Sequence, residues 1–165
     1  MGTKLKEEIK QNKPFSGLEQ EALLNLQRTA GQVIHSTQQL LKEYGLTGSQ
    51  YNVLRILRGA GPDGLRCAEI GERMLTQDPD ITRLLERLLR QGLIERRRDA
   101  KDRRVIHSRI GPEGLRLLKE LDPVVDRASR SMLGHMNPQK LELLIDLLEE
   151  ARQGTAFLPE SRATA

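Results

Sequence analysis

Apolar side chains recur every three or four residues along most of this chain, and breaks in that recurrence divide it into segments. Leu18, Ala22, Leu26, Ala30, Val33, Thr37 and Leu40 form one stripe, the pattern of a single long amphipathic helix ending near Tyr44-Gly45. Ser16, with Glu19 three residues on, fits a capping box at its start. A second box, Thr47 with Gln50, opens a helix through Tyr51, Val53, Leu54, Ile56 and Leu57 that stops at Gly59. Residues 67–75 predict a short helical stretch carried by Ile70 and Met74, with Gly71 where a neighbouring helix approaches closely. Asp78-Pro79 is a start signal, an N-cap followed by proline at the first helical position. Ile81, Leu84, Leu85 and Leu88 then stand at i, i+3, i+4 and i+7, and Gln91-Gly92 closes that helix.

The period then changes. Residues 93–98 and 104–110 predict two strands, the second alternating Ile106, Ser108 and Ile110 on one face, and the short polar connection 99–103 makes them a hairpin. Pro112 opens a further helix through Leu115, Leu118, Leu121, Val125, Ala128 and Met132, kinked or broken at Pro123. Asn137-Pro138 starts the last helix, with Leu141, Leu144, Ile145 and Leu148 as its apolar face, and residues 154–165 form a frayed tail. The expected fold is mainly α with a small β-hairpin.

Composition sharpens this. The 165 residues suggest one domain with extensions. Aromatics make up 2% (Phe15, Tyr44, Tyr51, Phe157), so the core is built from Leu, Ile, Val and Ala, which favours helices and argues against binders that stack bases on aromatic platforms. The single cysteine, Cys67, excludes an internal disulfide framework and a cysteine-based zinc cluster, and is expected as a small buried residue. His35, His107 and His135 are isolated, so no metal or cofactor is expected, and no catalytic constellation marks an enzyme. Residues 59–64 match the letters of a GxGxxG nucleotide fingerprint, but they follow a helix and contain Pro62, so they predict a turn. No apolar run approaches signal-peptide or membrane-span length; a cytoplasmic setting without a membrane partner is expected.

The formal net charge is +4, but residues 83–109 alone carry +6 and the remainder −2. Nine of the ten basic residues in that segment are arginine, whose guanidinium fork suits phosphate oxygens and base edges. At 100° per residue, the side of the helix opposite its apolar stripe presents Pro79, Arg83, Glu86 and Arg90, flanked by Thr82 and Arg87. The hairpin that follows carries Arg96, Arg97, Arg98, Lys101, Asp102, Arg103 and Arg104. Two short helices, the second basic on its outer face, followed by a basic hairpin, have the layout of a winged helix-turn-helix. The partner this predicts is double-stranded DNA, the helix in a major groove about 12 Å wide and the hairpin tip in the adjacent minor groove.

Four segments, 46–54, 81–88, 92–96 and 99–104, occur in the order and spacing of a known family. Over residues 18–148 the chain resembles the multiple-antibiotic-resistance regulator (MarR) family of bacterial transcription factors. The resemblance implies a homodimer of triangular outline, with an N-terminal arm and first dimerisation helix (1–45), a winged helix-turn-helix lobe (46–111), C-terminal dimerisation helices (112–153) and a tail (154–165). It also implies that Asp102 orients Arg104 by an ion pair and that Arg104 enters the minor groove. Members often bind a small, frequently anionic aromatic ligand between the dimer region and the DNA lobe, and His35 and Tyr51 are the candidates to line such a pocket. Two departures stand out: Gly111 replaces the usual Thr or Ser after the second strand, and the first-helix thiol of peroxide-sensing relatives is absent. The function implied is a sequence-specific repressor, homodimeric on a pseudo-palindromic operator and modulated by a small ligand. The alternative is a ligand-binding or protein-interaction module that keeps the fold without operator binding.

Overall fold

The computed structural model describes residues 4–76, 80–99, 102 and 104–155. They form two compact units. The first, reaching to Leu121, contains α1 (Lys4–Glu8), α2 (Leu18–Lys42), α3 (Gly48–Ala60), α4 (Cys67–Glu72), α5 (Ile81–Arg90), β1 (Ile94–Arg98), β2 (Ile106–Ile110) and the opening turns of α6 (Pro112–Leu133). The second, from Asp122, holds the rest of α6 and α7 (Pro138–Thr155). The architecture is mainly helical with one antiparallel hairpin, as the periodicities predict. Among the described residues no helix is long and apolar enough to cross a membrane.

In the first unit α3 packs on α2, α4, α5 and β2, and α5 packs on α4 and β1. The buried positions are aliphatic: Val53, Leu54 and Leu57 of α3, Ile70 of α4, Leu84, Leu85 and Leu88 of α5, and Ile94 of β1. Each fully buried leucine contributes about 1.5–3 kcal/mol, so the stripes seen in the sequence suffice to pin α5 with its polar side outward.

Local signals account for most helix ends, with corrections. The Thr47 box forms as expected: the Gln50 N–H donates to Thr47 Oγ1 (3.2 Å) and the Thr47 N–H to Gln50 Oε1 (2.9 Å). The Ser16 box does not. Gln20 Oε1 accepts from both the Ser16 N–H (2.8 Å) and its hydroxyl (3.1 Å), and α2 starts after Gly17 with no side-chain cap, because Ser16 lies one residue too early to reach the first turn. The start signal expected at Asp78-Pro79 falls outside the described residues; the N-cap of α5 is Asp80, whose carboxylate accepts the Arg83 N–H at 3.1 Å. Asp80 stands immediately before the apolar stripe, so it is the acid in register with it. At the far end, Asn137 Oδ1 accepts the Lys140 N–H (2.9 Å) and caps α7 as expected.

Two elements differ from the periodic pattern. The five-residue α1, anchored by buried Leu5 and an exposed Glu8–Arg28 pair (3.8 Å), is too short for any period to register. α6 runs through Pro123 instead of breaking there. A proline forfeits one helical donor, and the carbonyl it would have served belongs to Lys119, an exposed residue that water can reach.

β1 and β2 pair with Ile94 opposite Ile110, Arg96 opposite Ser108 and Arg98 opposite Ile106. A further rung lies outside the hairpin: Leu65 and Ser108 exchange both backbone bonds (2.9 and 2.8 Å), fastening the wing to the turn before α4. Gly64 makes this rung possible. Its φ is +70°, and a Cβ there would collide with the Ser108 carbonyl. Gly114 plays a similar part where α6 begins, lying so close to the Leu93 carbonyl that no side chain fits.

Candidate nucleic-acid interface

With Leu84, Leu85 and Leu88 buried, geometry leaves Thr82, Arg83, Glu86, Arg87 and Arg90 exposed along one side of α5. Asp80 serves twice at the head of this row: its Oδ1 caps the helix, and its Oδ2 lies 3.1 Å from Arg83 Nε. The Arg83 side chain remains 82% exposed. An exposed pair of this kind is worth about 0–1 kcal/mol, little enough for a phosphate or a base edge to outcompete.

Two contacts between elements hold the helix pair in place, and neither was visible in the sequence. Asn52 Oδ1 on α3 accepts the Leu75 N–H (2.8 Å), fixing the turn after α4. The Nε2 of buried Gln50 donates to Gln91 Oε1 (3.1 Å), joining the start of α3 to the end of α5. At the head of α4, Glu69 accepts the Arg66 N–H (2.8 Å) and its Nε–H (3.2 Å). That hydrogen bond to the Arg66 side chain holds the Glu69 carboxyl below its ordinary range, and the Arg66 guanidinium correspondingly above its own. A polar residue spaced for a local cap gives no sign of a partner on another element, so Asn52 and Gln91 left no signal. Cys67 is not the buried residue expected. It is exposed at the first position of α4, its Sγ 3.9 Å from Thr82 Oγ1.

The wing carries Arg96, Arg97, Arg98, Asp102 and Arg104, all exposed. Pro79, Lys101 and Arg103, the other expected contacts, lie outside the described residues. Strand alternation divides the arginine run between two faces, with Arg96 and Arg98 on one and Arg97, opposite His107, on the other. Arg109 is held by Glu95 across the strands, through Nε (2.8 Å) and a second guanidinium nitrogen (2.6 Å), and so braces the base of the wing. Asp102 does not meet Arg104 through the expected ion pair. Its Oδ1 accepts the Arg104 backbone N–H at 2.9 Å. In a turn this tight the nearest donor two residues on is the main chain, as in Asx-turns generally.

This arrangement has close counterparts. A model of the MarR family matches residues 44–105, from the α2–α3 connection to the wing. A MarR transcription factor from Planctomyces limnophilus, known from its crystal structure, is 38% identical, with 82% of this chain and 98% of that one covered and a TM-score of 0.64. The chain belongs to the MarR family. The HTH-type transcriptional regulator YkoM of Bacillus subtilis (strain 168) is 29% identical over 142 residues, 83% of this chain and 90% of that protein. The homoprotocatechuate degradative operon repressor of Escherichia coli is 27% identical over 111 residues, covering 67% and 74%. This MarR-family chain is accordingly a transcriptional regulator and not an enzyme.

The effector candidates of this MarR-family protein are less well joined than its arginines. His35 is exposed on α2, beside a shallow cavity lined by residues of that helix alone, among them Arg28, Gly31 and Gln32. Tyr51 is buried on α3, with the Arg55 guanidinium 5.8 Å from its ring centroid. The cavity at His35 does not include Tyr51.

Proposed function

We propose that the protein is a homodimeric, sequence-specific DNA-binding repressor. In this reading α5 enters the major groove of each half-site of a pseudo-palindromic operator, and the wing reaches the adjacent minor groove. The observation that carries it is the exposed row Thr82, Arg83, Glu86, Arg87 and Arg90, continuous in sequence with a wing whose described arginines 96, 97, 98 and 104 are also exposed. Phosphate contacts position such a protein and side chains on base edges specify its site; a row holding arginines, a threonine and a glutamate offers both. Residues 46–111 act as the DNA-binding lobe, and residues 1–45 and 112–153 as the dimerisation region. Repression is supported by the E. coli relative, described as the repressor of a degradative operon. A small, anionic aromatic effector is the ligand class proposed, with His35 and Tyr51 lining its pocket once a partner subunit completes it. Double-stranded DNA from upstream of the protein's own gene should shift in a gel at nanomolar to sub-micromolar protein, and random DNA of equal length should not. Equal shifts with both would leave the alternative, a module that keeps the fold without operator binding.

A further inference from the structure

Neither the α5 row nor the dimer surfaces use His107, yet it stands at the centre of the wing. Its Nδ1 lies 3.3 Å from the Asp63 backbone carbonyl, in the turn between α3 and α4. Its Nε2 lies 3.6 Å from Asp99 Oδ2, at the end of β1. Both ring nitrogens therefore face acceptors. Both oxygens can only accept and the neutral ring carries a single proton, so either tautomer leaves the lone pair of one ring nitrogen against an acceptor oxygen. Protonation turns that repulsion into a charge-assisted donor contact.

Among the described residues, charges of both signs surround the ring. A cavity of about 340 Å³ beside His107 is lined by Asp63, Arg97, Arg98 and Asp99. These supply Arg97 and Arg98 from β1, Asp99 from the turn and Asp63 from the α3–α4 connection, two charges of each sign. Of these side chains, Asp99 is the one that meets a ring nitrogen directly.

Asp99 passes the contact on. Its Oδ1 accepts the Asp102 N–H (2.9 Å), and Asp102 Oδ1 in turn accepts the Arg104 N–H (2.9 Å). We propose that His107 is a pH-responsive positioning residue for the wing, whose protonation draws in Asp99 and, through Asp102, settles the backbone that presents Arg104. Imidazole ordinarily titrates between pH 5 and 8, while free carboxylates titrate below that range. Acidification from pH 8 therefore tightens the wing. The consequence for DNA rests on the reading of the wing as a groove contact; the relay itself does not.

The test uses the full chain, labelled with nitrogen-15 and titrated from about pH 8 to about pH 5.5, the imidazole range. In the wild type, the Asp102 and Arg104 amide resonances should move with the same midpoint as the His107 ring. In His107→Gln they should stay still across that range. In Asp99→Asn, whose side-chain oxygen still accepts the Asp102 N–H, the ring should titrate but the amides should no longer follow. Amides that ignore the ring in the wild type, or that move unchanged in either variant, overturn the proposal. Operator affinity forms the second arm. Between those limits the wild type should gain about twofold to fivefold over His107→Gln, the range of a partly exposed ion pair, and the comparison removes any contribution from His35 and His135. A relay seen by resonance with no such difference in affinity would retain the positioning role and refute the DNA reading of the wing.

Discussion

Arg83 shows how much chemistry one position can hold. It is exposed, lies in the first turn of α5 and, among the described residues, is tethered by an ion pair to its own N-cap. Arg83→Ala should cost about 1–3 kcal/mol in operator binding and relax preference at one base pair per half-site. Binding measured on operator and random DNA checks this, and an equal fall on both would make Arg83 a phosphate contact. The wing gives a prediction of opposite sign to simple electrostatics. Arg104→Ala should weaken operator binding, most strongly where A·T-rich sequence narrows the minor groove. Asp102→Ala should weaken it in part although it removes a negative charge, because the Arg104 backbone loses its acceptor. Asp102→Asn keeps an oxygen at that place and should behave nearly as wild type. Salt titrations of the three variants separate the cases, since a pure phosphate clamp would bind more tightly on losing the Asp102 charge.

Elements in this protein are held at their ends as much as along their faces. Thr47 closes the start of α3 with a reciprocal box, and Thr47→Ala should destabilise the fold by about 1 kcal/mol, read as a lower urea midpoint with an unchanged slope. Gly114→Ala should be worse, about 1–3 kcal/mol, since the added methyl must push α6 off the Leu93 carbonyl. Gly31→Ala on α2, where nothing lies within 4 Å of the added carbon, is the control and should be neutral or slightly stabilising. These ends also show where sequence pattern stops. The boxes at Thr47 and the cap at Asn137 were legible because donor and acceptor sit within one turn. The Gln50–Gln91 and Asn52–Leu75 bonds were not, because their partners are 41 and 23 residues apart.

At the scale of the molecule, the unanswered apolar surface is the dominant feature. On α2, Leu23, Leu26, Val33 and Ile34 are exposed; on α7, Leu143, Ile145 and Leu147 are. The inward positions of α7 are Leu141, Leu144 and Leu148, half-buried, while Ile145, expected beside them, is 54% exposed. A helix apolar on two faces has no single stripe to orient it, and the second face asks for a partner. Light scattering at micromolar concentration should therefore give twice the 18.7 kDa chain mass. A monomer of intact helicity would overturn the dimer. Footprints should protect two half-sites about one helical turn, ~34 Å, apart.

By itself the sequence determined the helical class, the order of elements from α2 onward, the hairpin and the side of α5 that faces outward. Each of these follows from a period of 3.6 or 2 or from a cap within one turn, and such signals are written locally. The tertiary structure alone decided that Leu65 adds a rung to the wing, that Cys67 is exposed and that His107 faces Asp63 and Asp99. Those facts depend on residues far apart in the chain meeting at a few ångströms. No periodicity encodes that distance, because packing between elements sets it.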